Sequence, residues 1–190
     1  MVPDLNPSVF CLQEIFLKPL NSLKLRNYHM YHTYGNIAQD RATGSSSILV
    51  KNGIIHTHIA LNTNLQATAV RLNLNKTFTI CSLYIPPPFN LTTSDLHNLY
   101  NQLPEPRLIL GDFNSHNQLW GSTSLNNKGK TLGDFLKDHI LCLFNDGSPT
   151  YLHPGHGTFS SIDLSICDPA LFLEFEWRVL EDTHGGWVGA

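Results

Sequence analysis

Six short apolar runs, each four to nine residues long, divide the chain, and Pro, Gly, Asn or a polar pair punctuates them: SVFCL at 8–12, SSILV at 46–50, ATAVRLNL at 67–74, TFTICSLYI at 77–85, RLIL at 107–110 and SIDLSIC at 161–167. Runs this short, rich in Val, Ile and Thr, predict strands. ATAVRLNL alternates, with Val70, Leu72 and Leu74 on one side and Arg71 and Asn73 on the other, which predicts a strand with one wet face. VFCL and LIL are continuous, as in strands covered on both faces. Two segments carry a helical stripe instead. After Pro86–Pro88, Thr93 or Ser94 can cap a helix with Leu96, Leu99, Tyr100 and Leu103 on one face, ended by Pro104. A second runs from about Lys130, with Leu132, Phe135, Leu136 and Ile140 aligned. Many strands and few helices argue for an α+β sandwich, two sheets with helices outside, rather than a doubly wound parallel sheet.

The 190 residues suit one domain over 1–190, and 42% hydrophobic residues can fill its core. The net charge of −3 carries no basic signature. It is uneven, however: residues 1–104 hold seven Lys and Arg against four Asp and Glu, and residues 105–190 hold five against eleven. The acidic half can hold a cation, and the basic half can face an anion. Cys11, Cys81, Cys142 and Cys167 form no CxxC pair and lie in apolar runs. They predict buried, reduced thiols, no zinc site and an intracellular location. No run is long enough to span a membrane, so no membrane partner is expected, and the first residues do not form a signal peptide.

Four of the strand-like runs end in, or alternate with, polar groups. VFCL ends in Gln13-Glu14, ICSLY in Tyr84, and LIL in Gly111-Asp112-Phe113-Asn114. In SSIDLSIC, Ile162, Leu164 and Ile166 can face the core while Asp163 and Ser165 face the other way. Carboxylates beside apolar strands are costly unless paired, hydrogen-bonded or bound to a metal. If the fold gathers Glu14, Asp112 and Asp163, they make an oxygen-rich site suited to Mg²⁺ or Mn²⁺. Such a site can help water attack a phosphorus. An Asp can act as base, and an Asn or Tyr can donate to the developing oxyanion. Each residue also has a plainer reading. Glu14 can be a solvated residue after a strand, Asp112 with Asn114 an Asx turn, Tyr84 a half-buried aromatic and Asp163 an outward strand residue. His116 and Trp120 can pack the loop after Asn114.

CLQE, SLYIPP, LILGDFN and SIDLSI, in this order, resemble the endonuclease/exonuclease/phosphatase superfamily. LGDFNSHNQLWGS, NDGSPTY and SSIDLSICDP are similar, more narrowly, to the endonuclease domain of jockey-like non-LTR retrotransposons. The resemblance runs through nearly the whole chain. It implies a four-layer α/β sandwich, two packed mixed β-sheets flanked by helices, with the active site at one edge. It implies that Glu14 binds Mg²⁺ (or Mn²⁺) and that Tyr84 contacts the scissile phosphate. Asp112 then orients or activates the attacking water, Asn114 contacts the phosphate, and Asp163 buttresses a histidine near the C-terminus. Arg41 and His116 are further candidate substrate contacts. The substrate implied is chromosomal DNA in the nucleus, nicked so that the freed 3′-hydroxyl primes a reverse transcriptase domain of the parent element. The family's N-terminal Asn strand and its C-terminal Ser-Asp-His motif find no match. The corresponding end reads EDTHGGWVGA, with His184 just before the motif position. The expectation is therefore a fold truncated at both ends, with activity weak or lost.

Two other readings stand beside the DNA-nicking one. A non-catalytic nucleic-acid-binding or interaction remnant would use Arg41, Lys51, Arg71 and Lys76 as a modest basic face. A phosphatase of the same superfamily would keep the fold and change the substrate.

Overall fold

The computed structural model describes residues 6–16, 24–38, 41–152, 158–181 and 187–189. β1 (Val9–Gln13), β2 (Tyr28–Ala38) and β3 (Arg41–Lys51) form an antiparallel sheet with β3 in the middle. Next come β4 (Ile55–Ile59), β5 (Gln66–Asn73), β6 (Thr77–Tyr84), α1 (Thr93–Gln102), β7 (Arg107–Asp112), α2 (Asn127–Asp138) and β8 (Cys142–Leu143). β9 (Tyr151–Leu152) and β10 (Phe159–Ser160) form a short ribbon, followed by β11 (Asp163–Cys167) and the single turn α3 (Pro169–Phe172). β12 (Val179–Glu181) pairs with β13 (Trp187–Gly189). The large sheet has the order β4-β5-β6-β7-β11-β8; β6 and β7 run parallel, and its other pairs are antiparallel. The α+β expectation of two packed sheets with helices outside is met.

Strand alternation gives the large sheet two covered faces. Ala67, Ala69, Cys81, Leu83, Ile109, Leu164 and Ile166 point to the helices, where Leu96, Leu99, Leu132 and Phe135 meet them. Val70, Leu72, Ile80, Leu108 and Cys167 point to the small sheet and pack on Ile48 and Val50. Fully burying each Leu, Ile or Val contributes about 1.5–3 kcal/mol before entropy is counted. Among the described residues the two long helices lie on the outer face of the large sheet.

Several local expectations shift. β1 is an edge strand and all five of its residues are half-buried, so VFCL is not covered on both faces. β5 is wet only at its Arg71–Asn73 end; Ala67 to Val70 are buried on both faces, and Leu74 lies beyond the strand, 43% exposed. The α1 cap is Thr92, one residue earlier than expected, in a reciprocal capping box with Asp95. α2 begins at Asn127 behind the cap Asn126. Ile140 lies past its end, 78% exposed, and leaves the apolar stripe.

Candidate active site

One row of side chains crosses the large sheet at its end. Gln66 pairs with Tyr84, Tyr84 with Asp112, and Asp112 with Asp163. Residues paired across strands share a face. In β7, Asp112 has the parity of Leu108, which packs toward the small sheet. All four therefore face the space between the sheets. Asp163 and Ser165 do point away from the helix-side core, as expected, but toward a second interior rather than solvent. The strand reaches Asp112 because residue 111 is glycine: a Cβ there would lie 1.8 Å from the Leu83 carbonyl oxygen. The Gly of GDFN lets β7 close against β6 and places Asp112 beside Tyr84.

Glu14 arrives from the small sheet. Gln13 ends β1 opposite Ser46, and the Glu14 N–H donates to Ser45 O at 3.1 Å. Hydroxyls and an amide join the two sheets at this end. Gln13 Nε2 donates to Ser82 Oγ (2.8 Å), Ser46 Oγ to Ser82 O (2.7 Å) and Thr68 Oγ1 to Ser46 O (2.9 Å). This seam turns the apolar inter-sheet layer polar toward the site. It also sets Glu14 over Tyr84, whose hydroxyl donates to Glu14 Oε1 at 2.5 Å. Burial and this contact with Glu14 hold the Tyr84 phenol protonated far above its usual range. The Tyr84 ring rests on Gly44, where a Cβ would come within 2.7 Å of it. Backbone strain gathers here: Glu14 (φ 54°), Phe16 (φ 50°) and Ser45 (φ 136°) all have positive φ, each at a cost of about 1–3 kcal/mol.

Asp112 is gripped by the turn that follows it. Its Oδ1 accepts the Asn114 N–H at 2.8 Å, and its Oδ2 accepts Asn114 Nδ2 at 2.9 Å. Asn114 Nδ2 also donates to Ile85 O (3.2 Å), and Asn114 O accepts from Asn126 Nδ2 (3.1 Å). The Asx turn is thus present, and it serves to orient the carboxylate. Burial, then the charge of Asp163, push the Asp112 carboxyl up to about 7, against the pull of the Asn114 N–H. Burial pushes Asp163 up to about 6, opposed by its hydrogen bond with Thr150.

Several residues of this site escaped the sequence reading. Lys128, 8% exposed, donates from Nζ to the carbonyls of Pro86 (2.7 Å) and Pro87 (2.9 Å). Burial pushes its pKa down and the Asp112 charge opposes that. Thr150 Oγ1 accepts from the N–H groups of Ile162 and Asp163, and Asn145 Nδ2 donates to Asp163 O. NDGSPTY therefore staples β11 in place. The signal available was Asn and Thr flanking a Gly in an otherwise polar loop, which any turn could supply.

The other candidates are not part of this row. Trp120 is fully buried and donates from Nε1 to Ser115 O, so it packs the loop. The His116 N–H donates to Asn126 Oδ1, and its carbonyl accepts the Asn126 N–H. Arg41 begins β3, at the end of that strand nearer Gly44. Arg71, five residues along β5 from Gln66, donates to Thr79 Oγ1 and Pro104 O. Lys76 pairs with Glu174, and Lys51 closes the far end of β3. His184 lies outside the described residues.

A family model described as endonuclease-reverse transcriptase matches residues 78–186, more than half of the chain. The chain belongs to the endonuclease-reverse transcriptase family. It is 26% identical over 162 residues, 83% of its length, to a probable RNA-directed DNA polymerase from transposon X-element of Drosophila melanogaster, and covers 18% of that protein. It is 25% identical over 127 residues, 65% of its length, to the RNA-directed DNA polymerase from mobile element jockey of the same fly, covering 13% of it. The chain thus spans less than a fifth of these relatives. Among solved structures, the endonuclease domain of TRAS1, a telomere-specific non-LTR retrotransposon, superposes with a TM-score of 0.77 at 19% identity, over 96% of this chain and 82% of that one. The catalytic domain of Xenopus laevis APE2 gives 0.64 at 14% identity, over 98% and 83%. At such identities the likeness shows the fold. The resemblance to jockey-like elements is borne out by the curated relatives.

Nucleases of this fold generally use divalent metal ions. The three carboxylates gather, but not as the expected single pocket of three metal ligands. Glu14, Asp112 and Asp163 reach one end of the sandwich and feel one another's charge. Yet among the described residues no three His, Cys, Asp or Glu side chains are arranged to hold a metal ion. Asp112 pairs with Asp163 in the strand register, while Glu14 stands over Tyr84. This donor set still fits Mg²⁺, which keeps several waters and takes one or two carboxylates plus substrate phosphate. Buried carboxylates with raised pKa values are groups that a cation would stabilise in ionised form.

Proposed function

We propose that this chain hydrolyses DNA phosphodiesters with a divalent cation, Mg²⁺ or Mn²⁺, as the endonuclease domain of a non-LTR element. The observation that supports it most is the Tyr84–Asp112–Asp163 row facing Glu14 across the two sheets. Glu14 would hold the cation, which when bound polarises a phosphoryl oxygen. Asp112, oriented by Asn114, takes the proton of the attacking water. Tyr84 and Asn114 are the neutral donors for charge developing on the phosphoryl oxygens. Asn114 Nδ2 donates to Asp112 Oδ2 and Ile85 O, and the longer bond, to Ile85 O, is the one to exchange for substrate. Asp163, held by Thr150, keeps the acidic end negative; Arg41 and His116 are the proposed outer substrate contacts.

For the binding-only reading, Arg71 and Lys76 already bond to Pro104 O and Glu174. In the parent element this domain, taken as one unit over 1–190, would accompany a reverse transcriptase domain and act on chromosomal DNA in the nucleus. Among the described residues no helix is long and apolar enough to cross a membrane. The test is conversion of supercoiled plasmid to open circle with Mg²⁺, and with EDTA in its place. The expected result is nicking that EDTA abolishes and whose ends a DNA polymerase extends. Plasmid that stays supercoiled at high enzyme with either Mg²⁺ or Mn²⁺ overturns the proposal.

A further inference from the structure

Beside Tyr84 lies an open groove of about 940 Å³. Glu14 and Tyr84 form part of its wall, so a strand held at the candidate site continues into it. Its chemistry differs from that of a phosphate channel. Among the described residues Glu14 is the single charged side chain on its wall, and it is negative; no described Lys, Arg or His lines it. The other groups are flat or neutral. Phe16 is 56% exposed and Tyr34 39% exposed, both on the small-sheet side, while Pro86–Pro88 and Phe89 make a stiff opposite wall. Phe16 is presented from backbone at φ 50°. At the floor, Gln66 Oε1 is buried and accepts no hydrogen bond. Gly44 leaves it no slack, since a Cβ there would lie 2.3 Å from that oxygen. An acceptor without a donor in a buried position calls for a donor from outside.

We infer that this groove is a nucleobase subsite: it seats a base flanking the bound phosphodiester by stacking on Phe16 and Tyr34, and Gln66 Oε1 accepts from an amino or imino N–H on the base edge. A base is uncharged, has two flat faces and carries edge donors, which matches each of those features. Stacking on aromatic side chains is tolerant of base identity, and an edge hydrogen bond is not. Gln66 is then the residue that sets preference at this position, and Phe16 sets affinity. The inference rests on the hydrolase reading only for what lies next door.

The experiment uses the 190-residue chain and single-stranded oligonucleotides carrying one 2-aminopurine, whose emission falls on stacking. Binding quenches the probe. Phe16→Ala weakens binding about tenfold and removes the quench, Phe16→Trp restores both, and Gln66→Leu narrows the difference in affinity among the four natural bases. An oligonucleotide with an abasic site at the probe position binds wild type and Phe16→Ala equally. Unfolding temperatures confirm that each variant is folded, which the exposure of Phe16 favours. Emission that does not change on binding, or variants that bind every oligonucleotide as wild type does, overturns the subsite. Quenching without plasmid nicking retires the hydrolase reading and leaves the subsite; nicking without quenching does the reverse.

Discussion

Asp112 is pulled two ways. Two hydrogen bonds from Asn114 favour its carboxylate, while burial and the Asp163 charge favour the acid. Its pKa stands near 7 and that of Asp163 near 6, above the ordinary 3.8. Between those limits the folded protein keeps protons that the unfolded chain has released. Stability from these two groups is therefore fully present below about pH 4 and is lost as pH rises through 6 and 7. In metal-free buffer, urea unfolding at pH 5 and pH 8 is expected to show lower stability at pH 8. Asp112→Asn should flatten that slope and Mg²⁺ should oppose it; a slope unchanged in Asp112→Asn would contradict the assignment. At this scale much of the site was legible. Glu14, Tyr84, Asp112 and Asp163 stand out as polar groups that interrupt apolar runs. Lys128 and Thr150 were not legible, because their partners are backbone groups at distant Pro86, Pro87, Ile162 and Asp163.

Among elements, β5, β6, β7 and β11 were readable because buried strands must be apolar. β2 and β4 were not: YHMYHTYGNIA and IHTHI are dominated by His, Tyr and Thr. Their aromatic rings contact one another as well as the core: Tyr31 stacks on His58 and packs against the inter-sheet cluster. The junction of β3 with β6 carries a sharper test. Gly44 has φ 73°, and a Cβ there would strike Gln66 and the Tyr84 ring. Gly44→Ala is expected to displace Tyr84 and to cost about 1–3 kcal/mol in stability from overpacking. It should also lower nicking by more than that instability explains at a temperature where the variant is folded. Nicking at the wild-type rate would show that the Tyr84 position does not matter.

For the whole molecule, the decisive feature is how one sheet is placed on the other. Apolar contacts hold the sheets together at one end, and Ser46, Thr68, Gln13 and Ser82 hold them at the site end. The stretch SSILV reads as a strand, but nothing in sequence says that its serines dock a second sheet. Ser46→Ala removes one buried bond and leaves the Ser82 carbonyl without it. The expected loss is about 1–3 kcal/mol, read by urea denaturation. Because the same bond aligns Glu14 with Tyr84, affinity for Mn²⁺ in the presence of DNA should fall with it. A stability loss without any change in metal affinity would mean that the seam is structural only.

The central claim is that Glu14 and Asp112, brought from opposite sheets, work at one phosphodiester. Initial rates of plasmid nicking at saturating Mg²⁺ test it most directly, for wild type, Glu14→Gln and Asp112→Asn, each verified as folded by circular dichroism. The account predicts that both substitutions lower the rate by roughly 10²–10⁴-fold. Either variant nicking as fast as wild type would contradict it.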